Sequence, residues 1–269
     1  MLFGAVTGDI VGSIYEFRNI KTKDFPFFSP SCNITDDSCM TIAVAAAIDD
    51  WKKHGGDLSE LAIKYMRDIG NKYPNMGYGY GFARWLMADK PEPPYNSWGN
   101  GAAMRISAAG WYGKSISEVK RFSYMVTSVT HDHIEGIKGA EATAVAIFLA
   151  RTGSSKEEIA KYITENYYDW RASVSELQEN YSWDGSCQGT VPPALQCFFE
   201  SESFEDAIRK AISIGGDSDT IGAITGAVAE AYYGIPEEIK EKAKIYIPED
   251  LLQMVIELEK QPSVYSSNS

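Results

Sequence analysis

The sequence predicts one all-α domain, and three observations carry that prediction. No stretch alternates apolar and polar residues with period two for long enough to demand a sheet. Apolar residues instead recur at helical spacing in segment after segment. No linker-like composition divides residues 1–260, and with 269 residues of which 44% are hydrophobic there is ample material for a single core. Only Gln261–Ser269, made largely of Ser, Asn and Pro, reads as a disordered tail.

Leu2–Tyr15 has helical spacing, with Gly4, Gly8 and Gly12 falling four apart in one row. Each Gly costs a helix about 1 kcal/mol relative to Ala, a cost tolerated where another backbone must come very close. A partner is visible, because Gly222-Ala223-Ile224-Thr225-Gly226 nearly repeats Gly4-Ala5-Val6-Thr7-Gly8. The two segments are expected to pack together at the centre, joining the two ends of the chain. Asp9 and Glu16, two turns apart, are expected on one face of the first helix.

Phe17–Asn33 is too irregular for a strand and long enough to serve as a lid. Thr35 then caps a helix running to about Lys53, stopped by His54-Gly55-Gly56. A second helix spans Asp57 to about Ile69 and a short one Gly81–Ala88, after which Pro91, Pro93 and Pro94 break all regular structure. Asn100, flanked by Gly99 and Gly101, forms a turn whose amides can approach an anion. Glu118–Val129 is helical up to Thr130-His131-Asp132-His133. Helices follow at Glu135–Ala150 and Lys156–Asn166, then a polar loop over Ser182–Thr190. Val191–Glu200, Phe204–Ser213, Ile221–Tyr232, Pro236–Lys244 and Glu249–Lys260 complete the helices.

The chemistry concentrates in two stretches of the same composition. Gly215-Gly216 delivers Asp217, Ser218, Asp219 and Thr220 into a helix start, and Thr35-Asp36-Asp37 opens another. Each alone reads as an N-cap with acids complementing the helix dipole. Together they offer hard anionic oxygens suited to Mg²⁺, Mn²⁺ or Ca²⁺, and since three oxygens cannot complete a six-coordinate site, the two halves are expected to share a metal centre. Zinc is disfavoured: the chain has three His, and Cys32, Cys39, Cys187 and Cys197 form no ligand-spaced pairs and read as reduced, buried thiols. A formal charge of −12 argues against a broad nucleic-acid-binding face. The apolar start, with Asp9 inside it and no basic flank, reads as neither signal peptide nor membrane span, so the expected compartment is the cytoplasm.

Five motifs, Gly8-Asp9 with Gly12 and Glu16, Thr35-Asp36-Asp37, Gly99-Asn100-Gly101-Ala102-Ala103-Met104-Arg105, Thr130-His131 and Gly216-Asp217-Ser218-Asp219-Thr220, arrive in an order that resembles the ADP-ribosylglycohydrolase family, which includes the dinitrogenase-reductase-activating glycohydrolases. The resemblance implies a compact, single-domain orthogonal helical bundle around two Mg²⁺ or Mn²⁺ ions. It implies that Thr35, Asp36, Asp37, Asp217, Asp219 and Thr220 hold the ions, with Glu16 at or beside them. It further implies that Ser97, Trp98, Gly99, Asn100 and Gly101 line an ADP-ribose pocket, Trp98 stacking on adenine, and that His131 contacts substrate. One departure is His133-Ile134, where family members often carry Pro after the second His.

The expected reaction is hydrolysis of the bond between ADP-ribose and a protein or small-molecule acceptor, releasing ADP-ribose. Paired cations are suited to holding ribose hydroxyls and a water, and an oxocarbenium-like transition state calls for a nearby carboxylate, with Glu16, Asp36 and Asp219 as candidates. A two-metal hydrolase of other ADP-ribose-containing or phosphorylated molecules is one alternative, although such sites usually add several His and a basic clamp. A non-catalytic relative resembling lens crystallins is the other, opposed by the intact acidic set, since buried unpaired carboxylates are costly without a metal.

Overall fold

The computed structural model describes residues 1–169 and 172–260; the expected tail, Gln261–Ser269, lies outside the described residues. Fifteen helices and no strand occur among them. In chain order they are α1 (Phe3–Gly12), α2 (Asp36–His54), α3 (Leu58–Lys72), α4 (Tyr80–Met87), α5 (Gly101–Met104), α6 (Ser107–Tyr112), α7 (Ile116–Thr127) and α8 (Ile134–Arg151). They continue as α9 (Lys156–Asn166), α10 (Val174–Asn180), α11 (Cys187–Phe199), α12 (Phe204–Ser213), α13 (Ser218–Tyr233), α14 (Glu237–Lys244) and α15 (Glu249–Glu259).

The centre is the pair α1 and α13, as the glycine row implied. They run antiparallel: a Cβ on Gly8 would lie 1.9 Å from the Gly222 carbonyl oxygen, and one on Gly226 would lie 2.2 Å from that of Gly4. Both pairs of backbones therefore meet with no side chain between them. Every residue of α1 is buried, as is α13 from Ser218 to Glu230. Glu230 reinforces the pair by accepting from the Gly4 amide at 2.7 Å. Around this axis pack α8, α11 and α12 against α13, and α2 against α1. The four cysteines are free and buried.

Local signals set most helix ends. Asp57 caps α3 by accepting from the amides of Ser59 and Glu60, and Ser155 opens α9 with a full capping box closed by Glu158. Several elements differ from the sequence reading, among them α6, which it did not name, and α13, which begins at Ser218 and not Ile221. Helix α10, which the apolar pattern does not single out, is held by the same kind of box between Ser173 and Glu176. Helix α11 begins at Cys187 rather than Val191, because Ser186 caps it and carries the helix through Pro192 and Pro193. Pro193 cannot donate to the Gly189 carbonyl, and the Tyr181 hydroxyl donates there instead at 3.0 Å.

Helix α1 stops at Gly12, so Glu16 is not on it but in the irregular backbone that follows. The segment 17–33 is tied down rather than free-standing. Asn19 brackets Gly216, accepting from its amide and donating to its carbonyl at 2.8 Å each. Lys21 donates to the carbonyls of Ile214 and Tyr181, and Arg209 donates to those of Lys23 and Phe25 while lying over the Phe25 and Phe27 rings.

Candidate metal centre and active-site cavity

The antiparallel pairing of α1 and α13 decides where the two acidic turns meet. Gly12, at the end of α1, abuts Ser218 and Asp219 at the start of α13, and a Cβ there would lie 2.4 Å from the Ser218 carbonyl oxygen. The start of α2 is brought to the same place by Asp9, a buried acid in α1. Its Oδ2 accepts from the Thr35 amide at 2.9 Å, the Ser38 amide at 3.0 Å and the Ser38 hydroxyl, while Oδ1 accepts from the Thr35 hydroxyl at 2.8 Å. Two helix N-termini, α2 and α13, thus converge on one cluster of carboxylates, which their dipoles favour.

Ligand oxygens of Asp9, Asp37 and Asp219 lie within 4.8 Å of one another, and so do those of Glu16, Asp217 and Asp219. Asp37 and Asp219 are 2% and 4% exposed. Asp37 Oδ2 takes the Thr220 hydroxyl at 3.2 Å, but Asp37 Oδ1 is buried with no hydrogen-bond partner. Among the described residues none of these acids, nor Asp36, has a Lys or Arg within salt-bridge distance. Burial and mutual repulsion push the carboxyls up: Asp37 and Asp219 go well above the ordinary range, Asp217 also rises, and Glu16 and Asp36 reach about 7 and about 8. Asp9 reaches about 6, burial outweighing its four donors. Six carboxylates, all oxygen donors, one with an orphaned buried oxygen, form a set that a hard divalent cation would complete.

The cluster forms one wall of a cavity of about 270 Å³. Glu16, Asp36, Asp37, Asp217, Asp219 and Thr220 line it; Thr35 does not, since its hydroxyl caps α2 and donates to Asp9. The turn Ser97 and Gly99–Gly101 lines another side, together with His131 and Arg105. Nothing from 17–33 reaches the lining.

The wall around Arg105 is the reverse of the acidic one. Arg105 is 1% exposed, and no carboxylate among the described residues pairs with it. Its Nη2 donates to Thr130 Oγ1 at 2.6 Å and approaches His131 Nδ1 at 3.3 Å, its Nε has no partner, and its guanidinium lies over the Phe82 ring. Burial lowers its pKa to about 10, against the small opposing pull of Tyr95, Cys187 and Asp36. Since Arg105 can only donate, His131 Nδ1 is an acceptor and the proton sits on Nε2. Burial and then the Arg105 charge keep the ring neutral at ordinary pH. Nε2 faces the glycine turn, 3.4 Å from where a Cβ on Gly101 would stand.

Other residues expected at the site fall differently. Trp98 does not line the cavity: it is 51% exposed and meets His133 edge-on at 5.3 Å. Trp183, from the polar loop 182–190, does line it and is 56% exposed. Asn100 lines the cavity, yet its amide donates to Asp217 Oδ2 at 2.7 Å. Sequence reasoning did not place Asp9, Arg105 or Trp183 at the site. Asp9 and Arg105 stood inside recognised motifs; Trp183 carried no local signal.

A sequence profile of the ADP-ribosylglycohydrolase family matches residues 1–265. Human ADP-ribosylhydrolase ARH3 is 26% identical, the alignment covering 93% of this chain and 90% of that protein. ADP-ribosylarginine hydrolase Tri1 of Pseudomonas putida is 24% identical over 90% of this chain and 72% of its own. In fold, the chain is similar to a solved ADP-ribosylglycohydrolase-related protein complex, with a TM-score of 0.69, 22% identity, and coverage of 96% and 94% of the two chains. With the profile spanning nearly the whole chain and all five motifs converging on one cavity, this all-α protein belongs to the ADP-ribosylglycohydrolase family of hydrolases.

Proposed function

We propose that the chain hydrolyses the glycosidic bond between ADP-ribose and an acceptor, using two divalent cations, Mg²⁺ or Mn²⁺, at the acidic wall. The observation that carries this is the polarity of the cavity: among the described residues, buried carboxylates unpaired with any Lys or Arg on one side, and a buried guanidinium unpaired with any carboxylate on the other. The names of the human and Pseudomonas relatives support the same substrate chemistry.

Asp36, Asp37, Asp217, Asp219 and Thr220 would hold the cations, while Thr35, expected among the ligands, caps α2 and with Asp9 fixes its start. Bound there, the ions would supply Lewis-acid stabilisation and an activated water beside the ribose. Arg105, the Nε2 proton of His131 and the amide of Gly101 present donors to the diphosphate, while the Gly99 amide donates to the Ser97 hydroxyl. Trp183 offers its indole face to the adenine. Glu16, outside any helix and raised to about 7, is our choice over Asp36 and Asp219 for the carboxylate that orients the attacking water or steadies charge on the ribose. The low-pKa acids of an ordinary surface could not take up a proton at neutral pH as Glu16 can.

The test is release of ADP-ribose from a panel of ADP-ribosylated acceptors, with EDTA and then with Mg²⁺ or Mn²⁺ restored. Release that is metal-dependent is expected, and full release from metal-free protein would refute the mechanism. In the same assay Glu16→Gln should keep its bound metal and its ADP-ribose affinity while turnover falls roughly 10²- to 10⁴-fold. Wild-type turnover by that variant would move the role to an aspartate.

A further inference from the structure

The glycine-flanked Asn100 is placed by resemblance among residues that touch ADP-ribose, but its side chain is committed elsewhere. Asn100 is 8% exposed. Its Nδ2 donates to Asp217 Oδ2 at 2.7 Å and to Thr190 Oγ1 at 3.2 Å. Thr190, fully buried, spends its single hydroxyl proton on the Asp184 carbonyl at 2.8 Å, so towards Asn100 it can only accept. Both acceptors therefore demand the NH₂ group of the amide. A flipped amide would set its carbonyl oxygen against the Asp217 carboxylate and against a hydroxyl lone pair, so the orientation is determined by chemistry. The backbone agrees, since the Asn100 amide donates to the Gly185 carbonyl at 2.8 Å.

The result is a chain of hydrogen bonds from the 184–185 backbone through Thr190 and Asn100 to a carboxylate of the acidic wall. Asp217 follows Gly215 and Gly216, which have φ of +68° and +80° and give the turn little stiffness of its own. Asp217 shares a side-chain hydrogen bond with Asp219 inside the acidic wall, and the Asn100 amide is the donor that reaches it from outside that wall, holding the rotation of the carboxylate from the opposite side. Donors of this kind, one bond removed from a metal, set how well the carboxylate presents itself to the ion.

We propose that Asn100 is a positioning residue for the metal centre, not a substrate contact, and that Thr190 orients it. This rests on the reading of the acidic wall as a cation site. Calorimetry with Mn²⁺ alone on the full chain, followed by ADP-ribose titration at saturating Mn²⁺, tests it. Asn100→Ala should bind Mn²⁺ roughly 10- to 100-fold more weakly and, once saturated, bind ADP-ribose within about twofold of wild type, because the Gly101 amide, Arg105 and His131 remain. Thr190→Val, outside the cavity lining, should weaken Mn²⁺ in the same direction by a smaller factor, and Thr190→Ser should restore it.

Unchanged Mn²⁺ affinity in Asn100→Ala, or lost ADP-ribose binding with Mn²⁺ affinity intact, would overturn the proposal and leave the cation site standing. Failure of the wild-type chain to bind Mn²⁺ would overturn both. Circular dichroism of each metal-free variant separates these results from misfolding; if Asn100→Ala does not fold, equal Mn²⁺ affinity in Thr190→Val and Thr190→Ser would overturn the proposal.

Discussion

The two walls of the cavity solve opposite electrostatic problems. Around Asp37 and Asp219, the protein gathers carboxylates with no Lys or Arg at salt-bridge distance among the described residues, so burial and repulsion drive their pKa values up. Around Arg105, it buries a guanidinium that no carboxylate pairs with among the described residues, giving it Thr130 and a neutral His131 instead. Either wall alone would be a costly arrangement, because an uncompensated buried charge is strongly destabilising. Side by side they describe a ligand set with cations at one end and an anion at the other. A surface pair such as Lys64 with Asp68 shows the contrast: there both charges meet at 2.8 Å in solvent, and nothing further is invited.

The difference between the walls can be broken most completely at Asp219. Asp219→Asn removes an anionic ligand from both acid triplets, and an amide is a poorer donor to a hard dication. Mn²⁺ binding by calorimetry and turnover should both be lost, while the metal-free variant should melt no lower than the wild type because it carries less buried repulsion. Wild-type Mn²⁺ affinity in this variant would show that the acidic wall does not hold the ion.

Arg105→Met breaks the other wall. It should weaken ADP-ribose binding by about 1.5 to 3 kcal/mol, the scale of a hydrogen bond to a charged group, and leave Mn²⁺ affinity near wild type. Equal losses of both ligands would mean that the guanidinium serves the acids rather than the substrate.

A finer distinction lies between two exposed indoles, one lining the cavity and one outside it. Trp183→Ala should cost ADP-ribose affinity about 1 to 3 kcal/mol, as for a base stacked on an aromatic, whereas Trp98→Ala, packed outside against His133, should stay within about 0.5 kcal/mol as an ordinary surface change. The reverse ranking in calorimetry would restore the assignment that resemblance gives to Trp98.

The smallest expected effect, and the one that sharpens the comparison without mutation, is the pH dependence of metal-free stability. Asp9, Glu16 and Asp36 hold their protons up to about 6, 7 and 8 in the folded chain, against roughly 4 when unfolded. Between those values the folded state binds more protons, so stability is greatest at the acidic end and is lost as pH rises from about 4 to 8. Melting followed in EDTA should show that decline. Saturating Mg²⁺ or Mn²⁺, which requires the deprotonated carboxylates, should flatten or invert it. A metal-free melting curve that rises across this window would mean that the acids are not in a repelling, desolvated cluster.

By itself the sequence determined most of the helices and their caps, the glycine contact between the first and the Gly222 helix, and the meeting of Asp36-Asp37 with Asp217-Ser218-Asp219-Thr220. These are encoded within a few residues: helical periodicity, a Ser or Asp whose oxygen reaches an amide two or three residues on, and a glycine row that has use only beside a second backbone. What only the tertiary structure decided is the direction of side chains whose partners lie far along the chain. Glu16 left the helix predicted for it, its position set by Asn19 bracketing Gly216, 197 residues away. The Asn100 amide turned to Asp217, 117 residues on, where resemblance had set it against ADP-ribose. Trp183 reached the cavity and Trp98 did not, because the backbone of the 97–100 turn pairs with Gly185–Cys187. Local patterns fix what a segment becomes. Which of its side chains faces the ligand depends on hydrogen bonds and packing that form only once distant segments have met.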